Sequence, residues 1–329
     1  MTISINRTSI FYTAIYGLLL LTFSSCKTQS PDNNTIDVLS LKGPSAMSML
    51  FMMDELDEIN KLPVAFEILD EPLQIRARML KEEPEFALIP TNMAANLYNK
   101  GVPYQVAAIP VWGTLLLFGR DKQISDWSDL KGKRVHLMAK GMTPDILFRF
   151  LAVKNGLNPD KDMILDYSFP SHSDLANAVI AGLSEIAVLS EPLVSMVRAK
   201  NKEVKPIFNL DEEWKKVFNN DFSIPQTSLV VKSSFARENP DFVIAFIKKY
   251  QDYCSKIDDN LLRAGQLAVD FEIVPELSIA TEAIPGCNML VRPSWLVIDR
   301  IEAFLKVFYI FNPESIGGKM PDEDFFFQK

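Results

Sequence analysis

From Ile36 onward, short apolar runs of strand length alternate with longer segments whose apolar residues recur at helical spacing. The strand-like runs in the first third are 37–41 (DVLSL), 64–68 (VAFEI), 86–89 (FALI) and 105–111 (QVAAIPV). Between them, 46–59 and 72–81 carry the helical period. A second block begins near Trp127, with strands at 132–137, 163–167 and 185–189 and helices at 143–155 and 173–181. A strand at 227–231 follows, and from Pro240 to the C-terminus the pattern is mainly helical. Strands that alternate with helices predict an α/β protein whose parallel sheets are covered on both faces. No repeat of fixed period interrupts this order.

Composition narrows the function. The chain has 329 residues, enough for two domains, with the apolar and charged fractions (48% and 23%) of a globular protein. Its net charge of −8 gives phosphate backbones nothing to bind, so no nucleic-acid partner is expected. Two His and three Cys, with no HExxH and no CxxC, predict no metal site. No GxSxG elbow and no phosphate loop of the GxxxxGK[ST] type occurs, and no catalytic residue or cofactor is predicted.

The first 26 residues read as an address. Arg7 leads a nearly uncharged apolar stretch, 10–23, that ends in Ser24-Ser25 before Cys26. That is the layout of a secretory signal rather than of a span, and no later segment reaches the roughly 18 apolar residues a span needs. A Cys directly after two small residues resembles the lipobox of bacterial lipoproteins, although Phe23 stands where an aliphatic residue is usual. The resemblance implies acylation of Cys26, palmitate included, removal of residues 1–25, and membrane attachment through lipid alone. Residues 26–35 then form a polar tether. Cys254 and Cys287 are left, and their spacing settles nothing about a bond between them.

In open α/β sheets, ligands bind beyond the carboxyl ends of strands, where helix N-termini offer free N–H groups and a positive dipole end. That rule selects Gly43, Pro44 and Ser45 after the first strand and Thr91 and Asn92 after the third. It also selects Gly141, Met142 and Thr143, ahead of a Pro that marks a helix start. Glu191, after 185–189, can bond a ligand amine or brace the second chain crossing. Trp112, followed by Gly113, can stack on a planar or methyl-bearing ligand or close the core, and Thr227 is a further candidate. Lys42 and Lys140 are the nearby cations. His136 reads as structural and His172 as solvated. Ser45, Thr91 and Thr143 are also plain N-caps.

The order LKGPSAM, FALIPTNMAANLY, VWGTLLLFGR, DWSDLKGKRVHL, LSEPLV and TSLVVKSSFARENPDFVIAFIKKYQ resembles the substrate-binding proteins of nitrate/sulfonate/taurine and thiamine-precursor type ABC importers. The likeness covers most of 36–310. It implies the type II periplasmic-binding-protein fold, two α/β lobes joined by two chain crossings. Lobe one would be 36–115 plus 226–329, and lobe two 116–225. It further implies an extracytoplasmic monomer that captures a small-molecule ligand in the interlobe cleft and delivers it to an ABC permease with its ATPase. Two alternatives stay open. One is an orphan or sensory binding protein that passes ligand to a receptor; the other is a same-fold pyrimidine-precursor or menaquinone-pathway enzyme. Sequence does not name the ligand.

Overall fold

The computed structural model describes residues 35–120, 123–138 and 140–329, and Thr35–Lys329 form one compact unit. The predicted signal segment, Cys26 and nearly all of the tether lie outside the described residues. The chain opens as β1 (Ile36–Leu41), α1 (Pro44–Met47), α2 (Leu50–Glu55), β2 (Glu58–Ile59), β3 (Leu62–Leu69), α3 (Pro72–Met79), β4 (Phe86–Pro90), α4 (Thr91–Asn99) and β5 (Tyr104–Trp112). It continues as β6 (Leu115–Gly119), β7 (Arg134–His136), α5 (Thr143–Lys154), β8 (Ile164–Asp166), α6 (His172–Ala181), β9 (Ile186–Ser190), α7 (Leu193–Lys200), β10 (Lys205–Asn209) and α8 (Leu210–Phe218). It then returns as β11 (Pro225–Lys232), α9 (Ser233–Glu238), α10 (Pro240–Asp259), α11 (Leu261–Asp270), α12 (Leu277–Ala283), β12 (Met289–Pro293) and α13 (Ile298–Phe311). Among the described residues no helix is long and apolar enough to cross a membrane.

These elements build two sheets. Seven strands run in the order β12-β5-β11-β4-β1-β3-β2 and five in the order β10-β6-β9-β7-β8. The expected parallel pairing holds for β3-β1-β4 and for β8-β7-β9. It does not hold elsewhere: β11 lies antiparallel between β4 and β5, and β6 is antiparallel to both β9 and β10. The cause is connectivity. The chain leaves the first sheet after β5 and comes back from the second as β11, reversed, to fill the place between β4 and β5. The two-lobe, type II architecture holds, with mixed sheets. The predicted helix 46–59 is also revised: it is two short helices and the strand β2, from which Asn60 and Lys61 with φ of 50° and 68° turn the chain into β3.

Alternation along the strands supplies both faces of the first sheet. Val38, Phe86 and Leu88 face one cluster with α2 and α10, while Leu39, Ala87 and Ile89 face the other with α4 and α13. The Phe86 ring stacks on Phe246 of α10 with centroids 4.2 Å apart, and truncating such a ring costs about 3–5 kcal/mol. Residues 325–327 finish this sheet: Phe327 N–H donates to Val106 O, and Phe325, Phe326 and Phe327 are all buried. The second sheet packs Phe118, Ala187 and Leu189 against α6 and α7. Helix starts and stops follow local chemistry. Ser171 Oγ accepts from Asp174 N–H at 3.0 Å to open α6, and Gly182, with φ of 79°, closes it. Cys254 and Cys287 are free, buried thiols.

Candidate functional site

A cleft of about 540 Å³ lies between the two sheets. The first sheet lends it Leu41 to Ser45 after β1, Asp70 to Pro72 after β3, Pro90 at the end of β4, and Gln226 and Thr227 of β11. The second lends Leu115, Met138, Met142 to Pro144, Pro170 to Ser173, and Ser190 to Leu193. Most of these follow the carboxyl end of a strand, as open α/β sheets require. The starts of α5, α6 and α7 all face it, each with first-turn N–H groups that no helical carbonyl can satisfy.

Seven of the twelve candidates line this cleft: Gly43, Pro44, Ser45, Met142, Thr143, Glu191 and Thr227. Ser45 Oγ lies 3.4 Å from Thr227 Oγ1, joining the turn after β1 to β11. Thr143 Oγ1 donates to Asn92 Oδ1 at 3.0 Å, a bond between the two lobes. The other five stand back. Thr91 and Asn92 are fully buried one layer behind the wall, where Thr91 Oγ1 accepts from Ser228 Oγ. Trp112 donates its indole N–H to Leu290 O at 2.7 Å, and Gly113 donates to Ile224 O at 2.9 Å. Gly141, with φ of 80°, bonds Asp145 Oδ2 and opens on a separate surface hollow with Lys140 and Arg149.

Sequence reasoning missed Asp70, Glu71, Pro72 and the stretch Pro170 to Ser173. His172, read there as solvated, lines the cleft; its Nδ1 is buried without a partner among the described residues, and burial pushes its pKa down. A signal was present, because Glu-Pro at 71–72 and Ser-x-x-Asp at 171–174 mark helix starts after strands. His136 is buried, its Nδ1 paired with Ser184 Oγ at 2.8 Å.

Among the described residues no Arg, Phe, Tyr or Trp lines the cleft; Lys42 is the only Lys there, and it sits 3.5 Å from Asp70. Glu191 is 5% exposed, with Oε2 accepting from Ser195 N–H at 3.0 Å. Burial pushes its carboxyl up to about 7. Asn92 Nδ2, His172 Nδ1 and Ser195 Oγ are three of the six buried side-chain N or O atoms without partners among the described residues, and all three sit at or just behind the cleft. Such groups carry a desolvation cost until something bonds them.

Comparison with known proteins agrees with this geometry. A solved ABC transporter structure from Parabacteroides distasonis is similar at a TM-score of 0.80 and 25% identity, covering 90% of this chain and 99% of that one. The periplasmic aliphatic sulphonate binding protein SsuA of Escherichia coli matches at 0.69 and 12% identity, over 88% of this chain and 92% of that one. The nitrate-binding protein NrtA of Synechocystis PCC 6803 matches at 0.58 and 16%, over 74% and 69%. At such low identities the last two speak for the fold alone. YtlA of Bacillus subtilis (strain 168), whose name calls it a binding protein, is 29% identical over 136 residues, 41% of this chain and 38% of that one. The chain thus matches well under half of YtlA's length. The profile of the family described as "ABC transporter, phosphonate, periplasmic substrate-binding protein" matches residues 45–250, and with that match this chain belongs to the family of periplasmic substrate-binding proteins of ABC transporters.

Proposed function

We propose that the chain is a non-catalytic, extracytoplasmic binding protein that closes its two lobes over a small organic ligand and delivers it to an ABC permease and its ATPase. The observation that carries this reading is the cleft of about 540 Å³ walled from both sheets, a size typical of small-molecule sites. Ligand contacts would come from Gly43, Pro44, Ser45, Met142, Thr143, Glu191 and Thr227, joined by His172. The starts of α5 and α6 suit the oxygens of a phosphonate, sulfonate or carboxylate. Glu191 suits an N–H donor on the same molecule. A wall without Phe, Tyr or Trp among the described residues favours an aliphatic body over a planar one.

The chain passes between the sheets at Gly113-Thr114 and again at 219–224, and rotation about these two strands would open and close the cleft. In this reading residues 1–25 are removed, 26–35 form the tether, and Cys26 carries the lipid that holds a monomer at the membrane.

The test is a thermal-shift screen of residues 27–329 against phosphonates, sulfonates, nitrate, amines and pyrimidines. A ligand at a hundred times its Kd adds about 2.7 kcal/mol, a rise of roughly 5–10 °C. The hit should weaken at least tenfold in Thr143→Ala, a loss of about 1.4 kcal/mol in binding. Unchanged affinity in a folded Thr143→Ala protein would displace the site from this cleft.

A further inference from the structure

Glu191 leaves the end of β9 in the second lobe and reaches across to the first. A Cβ placed on Gly286, in the turn Ile284–Cys287, would sit 3.0 Å from Glu191 Cγ and 3.1 Å from Oε1. Its side chain is therefore packed into the seam between the lobes at one edge of the cleft. The cation closest in sequence is committed elsewhere: Arg198 of α7 pairs with Glu282 of α12 at 3.2 Å, itself a bridge across the same seam. No Lys or Arg among the described residues forms an ion pair with Glu191. The carboxyl accepts from Ser195 N–H, and the Ser195 hydroxyl beside it is buried without a geometric hydrogen bond among the described residues. A buried carboxyl without a counter-ion has two ways to avoid its desolvation cost: take a proton, or return to water by parting the seam.

We infer that lobe closure is proton-linked through Glu191: the empty cleft closes around a neutral Glu191 carboxyl, and ionisation of that carboxyl opens the seam.

The groups facing Glu191 set the direction. Ser195 and, less strongly, Arg198 of α7 lower its pKa, whereas Glu282 of α12 raises it, and the buried Cys287 thiol on the facing turn stays neutral because burial raises its own pKa. Across the cleft, Lys42 and Asp70 are paired, Glu71 opens α3, and His172 is held below its ordinary 6.5 by burial. Burial is the largest influence on Glu191 and places its carboxyl at about 7, against an ordinary 4.5 once the seam parts and water returns. The closed form then holds the proton more tightly than the open form. Closure is favoured fully below pH 4.5 and loses ground as pH rises to about 7, above which the loss is complete.

Hydrogen exchange of the ligand-free protein reads this directly. Protection of segments 191–198 and 282–287, corrected for intrinsic exchange, should fall roughly tenfold from pH 6 to pH 8 in the wild type. In Glu191→Gln, which keeps the shape without the charge, it should stay level across that range. Glu282→Gln removes a like charge and frees Arg198, so the fall should shift to lower pH. Level protection in the wild type overturns the inference, as does an equal fall in Glu191→Gln. An unmoved profile in Glu282→Gln overturns it too, and keeps the test decisive if the Glu191→Gln protein does not fold. No ligand enters the measurement, so a failed ligand screen and a failed exchange experiment indict different readings.

Discussion

The two ends of the cleft treat buried polar groups in opposite ways. Where the chain crosses between sheets, the polar groups are satisfied in pairs. Gln226 Oε1 accepts from Thr114 N–H at 2.9 Å while its Nε2 donates to Thr114 Oγ1 at 2.8 Å, tying one crossing to the other. Asp211, 2% exposed, accepts from Ile224 N–H at 2.7 Å and pairs with Lys215 at 3.0 Å. At the opposite seam, Glu191 lacks a counter-ion and Ser195 Oγ and His172 Nδ1 lack partners among the described residues. Saturated bonds fix a geometry, whereas unsatisfied ones hold free energy that a ligand, a proton or a movement can release. The contrast separates a part of the molecule built to stay from a part built to respond.

Substitutions can break that contrast. The largest effect belongs to Asp211→Ala, which strands Ile224 N–H and leaves Lys215 with Glu212 as its remaining carboxylate; urea unfolding should show a loss of about 3 kcal/mol. A loss below about 1 kcal/mol would mean that the crossing is no better braced than the seam. Gly113→Ala comes next, since a Cβ there overlaps the short, buried Asp211 carboxyl; overpacking of this kind costs about 2 kcal/mol. Gln226→Ala unties the two crossings and should cost about 1 kcal/mol by the same measurement. Ser195→Ala sharpens the contrast from the other side. It deletes a hydroxyl that bonds nothing among the described residues, so stability should stay within about 0.5 kcal/mol or rise. A loss above about 1 kcal/mol would reveal a bond at Ser195 Oγ that the closed geometry does not contain.

Much of this fold was legible in the sequence because its signals are local. β1, β3, β4 and β5 announce themselves as short apolar runs, and Pro at 72, 144 and 240 marks three helix starts. Four strands were not legible, the first of them β2, two residues long and read as the end of a helix. β6 follows β5 after only Gly113 and Thr114, so the two read as one apolar stretch, and the turn from one sheet to another leaves no local trace. β10 is mostly exposed and contains Pro206, and β12 ends in Pro293; short edge strands with Pro carry little alternation. The candidate site divides on depth. The rule of helix starts after strands found Ser45 and Thr143, but it could not tell that Thr91 and Asn92 sit a layer behind them, since depth depends on how closely α4 approaches α5 across the lobes. His172 was lost because a polar stretch read as a wet loop, when its hydrophilic residues face an enclosed cleft.

Strand order carries one more consequence. All five strands of the second sheet come from one uninterrupted stretch, residues 115–209, while the first sheet needs β11, β12 and the closing contact of Phe327. As the chain emerges from N- to C-terminus, residues 36–112 hold β4 and β5 apart, with no strand between them, until some 110 residues later β11 arrives. Contacts of such long separation form slowly, and unpaired strand edges meanwhile invite other chains. The half that begins first therefore finishes last: the second sheet has all its strands by residue 209, while the first still waits for β11 and β12.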